Sequence, residues 1–146
     1  KKMGTVLQDE WKELGINVVM EVLERGALIS DMRSGLLDCY PMGNVDMTTD
    51  ASLLLGVMTT ENIPALNNSF YSNPEYDALY VEQSLETDPE KRQEIIREML
   101  NIAAQDVPMV PIYSPVTNLA CNKNLNVTLD PSFDGIFWYE YSWNEG

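Results

Sequence analysis

Carboxylates dominate the reactive groups of this 146-residue chain: 23 Asp and Glu stand against 9 Lys and Arg, and histidine is absent. Without histidine the commonest general base and metal ligand is missing, so neither a Ser-His-Asp arrangement nor a His-rich metal cluster can be built. A pair of carboxylates of the glycosidase type is the acid–base chemistry that remains, but no spacing among the acids singles out such a pair. Cys39 and Cys121 both sit in apolar, strand-like stretches. They admit either one disulfide in an exported protein or two thiols behaving as small hydrophobes. No catalytic residue, no metal ligand and no cofactor is assigned. The chemistry available is that of binding rather than of turnover.

Residues 41–70 are rich in Gly, Asn, Asp, Thr and Pro around one apolar island, Leu53-Leu54-Leu55-Gly56-Val57-Met58. The expectation is a loop with one short helix. A segment of this length without firm structure is usually functional, so a ligand site is sought there first.

The elements that must position that segment are legible from local patterns. Val6, Leu7, Trp11 and Leu14 recur at helical spacing with Gly15 following, which predicts a helix over 3–14. Residues 16–24 (INVVMEVLE) place Ile16, Val18, Met20 and Val22 on one face at period two and predict a strand. Leu28, Ile29 and Met32 predict a second short helix ending at Gly35, and residues 36–40 (LLDCY) a second strand. A strand, a crossover and a strand make a βαβ unit, which implies a parallel pair.

Two helix starts of one design follow fifteen residues apart, Asn73-Pro74-Glu75 and Asp88-Pro89-Glu90. Each sets a capping side chain before a proline whose φ suits the first turn, then a carboxylate favoured by the helix dipole. In the second helix Ile95, Ile96, Met99, Leu100 and Ala103 form the apolar stripe, and Lys91, Arg92, Glu94, Arg97 and Glu98 the solvated face. In the first, Tyr76, Leu79 and Tyr80 on one side and Ala78, Val81 and Leu85 on the other suggest cover on two faces. Residues 107–113 (VPMVPIY) suit an edge strand, 116–121 and 127–129 further short strands. The alternating aromatics Trp138, Tyr139, Tyr141 and Trp143 suit a packed strand rather than a stacking platform. The net charge of −14 would repel nucleic acid and an anionic membrane surface. No apolar run reaches the roughly 20 residues that span a bilayer. The length suits a single domain over 1–146.

In order, these pieces resemble the C-terminal part of the family 5 extracellular solute-binding proteins, the peptide- and nickel-binding subunits of ABC transporters. The matching stretches are LQDEWKELGINVVMEVLE, the aspartate Asp38 after a strand in GLLDCYPMG, YSNPEYDALYVEQSLETDPEKRQEIIREMLNIAAQDVPMVPIYSP, and the closing LNVTLDPSFDGIFWYEYSW. The third is the most specific, and together they span nearly the whole chain. The resemblance implies an α/β fold: a periplasmic-binding-protein-like, type II lobe with a mostly parallel sheet flanked by helices. That lobe would be the C-terminal one of a larger two-lobe protein whose N-terminal lobe is missing from this sequence. It also implies extracellular or periplasmic localisation, membrane anchoring as a lipoprotein in the full-length form, and an ABC-transporter permease as partner.

In the family's peptide binders an aspartate shortly after the strand and its aspartate pairs with the ligand's amino terminus. A peptide offers an ammonium group, a carboxylate and backbone amides, so its receptor needs a fixed carboxylate and exposed backbone groups. Asp46 stands nearest that place, although the family's aromatic after the glycine is Asn44 here. Counting back from Asp50 puts Met47 in the pairing position instead. Asp50 resembles the acidic residue that opens the following helix, where it would serve as an N-cap or as a ligand-facing acid. Gly43 suits either close approach of ligand backbone or a plain turn, and Tyr40 and Met42 alternate out of the second strand either to line a pocket or to pack in the core. The implied function is binding of a short peptide by closure of two lobes. The alternatives are a non-peptide ligand on the same fold, such as a nickel chelate, haem or an oligosaccharide, or a sensory or interaction module.

Overall fold

The computed structural model describes residues 2–43, 50–113, 120–127 and 141–143. The chain divides into two compact units, Lys1–Gly43 and Asn44–Gly146.

In the first unit, helix α1 spans Lys2–Glu13 and helix α2 Arg25–Arg33. Both stop by the same device. Gly15 adopts φ +80° and Gly35 φ +65°, the left-handed region that a residue without Cβ enters freely. At the first stop, the Gly15 amide donates to the Lys12 carbonyl at 3.0 Å and the Ile16 amide to the Trp11 carbonyl at 2.9 Å. At the second, Gly35 donates to Met32 at 3.2 Å and Leu36 to Asp31 at 3.0 Å. These paired bonds are the Schellman termination, which satisfies carbonyls the helix leaves open. Glu24 caps the start of α2 by accepting from the Gly26 amide at 2.8 Å.

The parallel pair expected between residues 16–24 and 36–40 is absent from the described residues. Both segments lack ladder bonds. The first runs extended beside α1, tied by the Gln8 amide donating to the Val18 carbonyl at 2.6 Å. Its apolar positions stay open, Val19 at 85 % and Val22 at 69 % exposure. Alternation makes a sheet only when a neighbouring strand takes up the backbone hydrogen bonds and a second layer covers one face. Neither is present among the described residues. The described residues are thus helix-rich, and the sheet they contain is two-stranded and antiparallel rather than the mostly parallel one expected.

In the second unit α3 spans Ser52–Gly56, a 3₁₀ turn Thr60–Asn62, α4 Pro74–Leu85 and α5 Pro89–Asp106. Strand β1 (Leu125–Asn126) pairs antiparallel with β2 (Ser142–Trp143), Leu125 opposite Trp143. Residues 107–113 form no strand, and of the aromatic tail Trp138 and Tyr139 lie outside the described residues. The core joins α3, α4 and α5 through Leu55, Met58, Tyr76 and Met99, with Leu79, Tyr80, Ile96, Ile102 and Ala103 packed against it. On α5 the covered stripe is Ile96, Met99 and Ala103, while Leu100 is half exposed. On α4 one face is covered, not two: Val81 and Leu85 remain open.

The stretch that composition marks as irregular is braced from 50 onward by polar side chains acting on backbone. Buried Asn67 donates to the Thr59 carbonyl at 2.9 Å and the Tyr71 carbonyl at 2.8 Å, and accepts from the Ser69 hydroxyl at 2.9 Å. Asn62 donates to the Gly56 carbonyl at 2.9 Å. Such amides replace the ladder that a helix or sheet would provide. Among the described residues no helix is long and apolar enough to cross a membrane.

Candidate functional site

The residues that the sequence marks for ligand contact fall at the end of the first unit and the beginning of the second. Tyr40 is half-buried, and its phenol is pushed up by that burial and then by neighbouring Cys39. Met42 is exposed. A Cβ built on Gly43 would meet nothing within 4 Å, so the backbone there is open to approach. Asp46, with Asn44 and Met47, lies outside the described residues.

Asp50 is placed in detail. Its Oδ2 lies 2.7 Å from Arg92 Nη1. Its Oδ1 accepts from Arg92 Nη2 at 2.9 Å and from the Ser52 amide at 2.8 Å. The two side chains thus form a bidentate fork, the strong geometry for a guanidinium and a carboxylate. The hydrogen bonds from Arg92 and Ser52 hold the Asp50 carboxyl well below the usual carboxylate range. By accepting from Ser52 at the start of α3, Asp50 also supplies the anionic group that a helix N-terminus favours.

Arg92 is itself positioned from behind. Its Nε donates to the side-chain oxygen of Gln83 at 3.1 Å and to the Gln83 carbonyl at 3.2 Å. Nη2 also reaches Gln83 Oε1 at 3.0 Å and Ser52 Oγ at 3.1 Å. Gln83 is fully buried on α4, and a buried amide must find partners. One guanidinium from the first turn of α5 therefore ties α4 to the segment that opens α3. Helical periodicity places Arg92 on the solvated face of α5, which the structure corrects. A cation in the first helical turn opposes the helix dipole, and that unfavourable placement is the signal that a carboxylate stands nearby.

A second network fastens the other end of this frame. Asp106, the last residue of α5, accepts from the Tyr71 hydroxyl at 2.6 Å and from the Asn73 amide at 3.0 Å. Asn73 meanwhile caps α4, accepting from the Glu75 and Tyr76 amides at 2.9 and 3.3 Å. The Tyr71 phenol is pushed up to about 12, by burial first and then by the Asp106 carboxylate. Between the two networks the carbonyls of α3 are held from α4: Tyr76 donates to Leu55 at 2.9 Å and Tyr80 to Ser52 at 3.3 Å. The paired helices are a bracket for α3 and the chain leading into it.

Both cysteines carry free, exposed thiols. Among the described residues no group of three or more Cys, Asp and Glu could hold a metal ion. A shallow groove in the first unit, lined by Gln8, Asp9, Lys12, Ile16, Asn17 and Val18, contains none of the residues marked for ligand contact.

No protein-family model matches the chain, and no solved structure matches it. Among curated proteins, an oligopeptide-binding protein of Bacillus subtilis is 25% identical over 138 residues, covering 94% of this chain and 25% of the relative. A di/tripeptide-binding protein of Pseudomonas aeruginosa is 27% identical over 113 residues, 77% of this chain and 21% of the relative. A probable deoxycholate-binding periplasmic protein of Escherichia coli is 27% identical over 114 residues, again 77% of this chain and 21% of the relative. The chain spans a quarter or less of the length of the relatives it matches. By these likenesses the chain is similar to extracellular and periplasmic solute-binding proteins, in line with the family 5 resemblance of its motifs.

Proposed function

We propose that the chain is one lobe of an extracellular or periplasmic receptor that closes on a short peptide and delivers it to an ABC-transporter permease. The observation that carries this reading is the alignment of 94% of the chain with a protein named for binding oligopeptides, supported by a second relative named for di- and tripeptides. The partial coverage of both fits a longer protein, and we assign the remainder to a further, N-terminal lobe. In the full-length form, anchored to the membrane as a lipoprotein, strands from the rest of the polypeptide pair with residues 16–24 and 36–40 and complete a mostly parallel sheet. The open apolar side chains of Val19, Val22 and Leu36 favour that completion.

Ligand contact is assigned to the segment from Tyr40 to Asp50. Asp46 pairs with the peptide's ammonium group, Gly43 admits ligand backbone, and Tyr40 and Met42 contribute apolar contact. Asp50 terminates the segment. The protein binds its solute and does not transform it, in keeping with relatives that are named as binding proteins. Closure of two lobes is the ordinary route by which such receptors enclose a ligand.

Titration calorimetry on the full-length protein with tri- and tetrapeptides, free and N-acetylated, tests this. Free peptides are expected to bind roughly tenfold or more tightly than acetylated ones, because acetylation removes the cation that a fixed carboxylate recognises. Equal affinities would remove the role given to Asp46. Binding of a nickel chelate, a sugar or a bile acid with no binding of any peptide would overturn the peptide reading.

A further inference from the structure

We infer that Arg92 is the positioning residue of the proposed ligand segment, and that Asp50 serves as the anchor Arg92 holds rather than as a ligand contact. The link to ligand affinity rests on the peptide-binding reading above; the clamp itself rests on geometry alone.

Both oxygens of Asp50 are taken by groups of the protein, Oδ2 by Arg92 Nη1 and Oδ1 by Arg92 Nη2 and the Ser52 amide. A carboxylate so engaged would have to give up charge-assisted bonds before it could meet a ligand's ammonium. The guanidinium is likewise engaged at all three nitrogens. Its back is set by buried Gln83, so the fork is aimed before any ligand arrives. The pair joins positions 42 residues apart in sequence, and it does so at the point where the chain enters α3. The last residue of the proposed ligand segment is thereby fixed to the α4–α5 bracket. The pair is also only partly covered, Arg92 at 29% and Asp50 at 47% side-chain exposure. A pair of that exposure adds little to global stability. Its consequence is local order at one place in the chain.

The test uses the full-length protein with Arg92→Met, Asp50→Asn and the double substitution. Hydrogen exchange is followed at the amides of Ser52 to Leu55, with Met99 in α5 as internal control, and calorimetry uses trialanine as probe. Arg92→Met is expected to speed exchange at Ser52 to Leu55 by about tenfold while Met99 is unchanged, as befits local rather than global opening. It is also expected to weaken trialanine binding by about tenfold, with Asp50→Asn matching it and the double variant no worse than either, as coupled partners require. Asp50→Asn should barely move the melting temperature, whereas Arg92→Met should lower it modestly, because buried Gln83 loses the donors to its side-chain oxygen. Arg92→Lys, which keeps charge but loses the fork, should recover only part of the exchange protection.

Unchanged exchange at Ser52 in Arg92→Met would overturn the clamp. Loss of trialanine binding in Asp50→Asn but not in Arg92→Met would return Asp50 to the ligand. If the unsubstituted protein binds no trialanine, the peptide reading falls at that ligand, and the exchange arm alone decides whether Arg92 anchors the segment.

Discussion

At the scale of single residues, the second unit is held by polar side chains that reach across it rather than by a large apolar interior. Tyr76, Gln83 and Asn67 are completely buried, and each has a hydrogen-bond partner. Asp106 carries the clearest pH dependence apart from Asp50. The hydroxyl of Tyr71 and then the amide of Asn73 hold its carboxyl below the ordinary value of 3.8. A carboxylate depressed in the folded state contributes stability that is present above its unfolded value and is lost as the pH falls through the folded one. Urea denaturation of Asp106→Asn, which keeps an acceptor but no charge, should therefore show a less stable protein at neutral pH. The difference from the unsubstituted protein should shrink as the pH is lowered through and below 3.8. A deficit that is constant across that range would mean the carboxylate's charge is not what Tyr71 and Asn73 stabilise. The hydrogen bonds to Asp106 are not legible in the sequence, because Tyr71 and Asp106 stand 35 residues apart and meet only once α4 and α5 pack.

At the scale of elements, the two proline-led helix starts behave as their residues require. Asn73 and Asp88 each accept from the amides two and three residues on, at 2.9 and 3.3 Å for Asn73 and 3.0 and 3.4 Å for Asp88. Replacing such a cap by alanine costs about 1 kcal/mol. Asn73→Ala should cost more than Asp88→Ala in a chemical denaturation, since Asn73 also donates to Asp106 at 3.0 Å and Asp88 has no second side-chain role among the bonds described. Equal losses would show that the Asn73–Asp106 bond contributes nothing. These starts were legible because capping is a matter of three or four consecutive residues. So were the glycine stops of α1 and α2. The solvated assignment of Arg92 failed for the opposite reason: helical periodicity reports which face is apolar, not which cation turns inward to a carboxylate on another element.

At the scale of the whole molecule, a chain with net charge −14 displays apolar side chains along extended segments in both units, among them Val19, Val22, Val110 and Tyr113. Open apolar surface commonly marks a site of interaction. If the proposed second lobe completes the site, this chain alone should bind trialanine at least about tenfold more weakly than the full-length protein, because half of the enclosing surface would be absent. Comparable calorimetric affinities for the two would mean that a single lobe is a complete receptor.

The sequence by itself determined where helices begin and end, which chemistries the absence of histidine forbids, and the likeness to solute-binding proteins. All of these depend on residue type and short spacing. Whether residues 16–24 pair as a strand depends on a neighbour that alternation cannot supply, and whether Asp50 is available depends on a guanidinium 42 positions away. Those two matters were decided only by tertiary structure, since hydrogen-bond partners distant in sequence are chosen by packing.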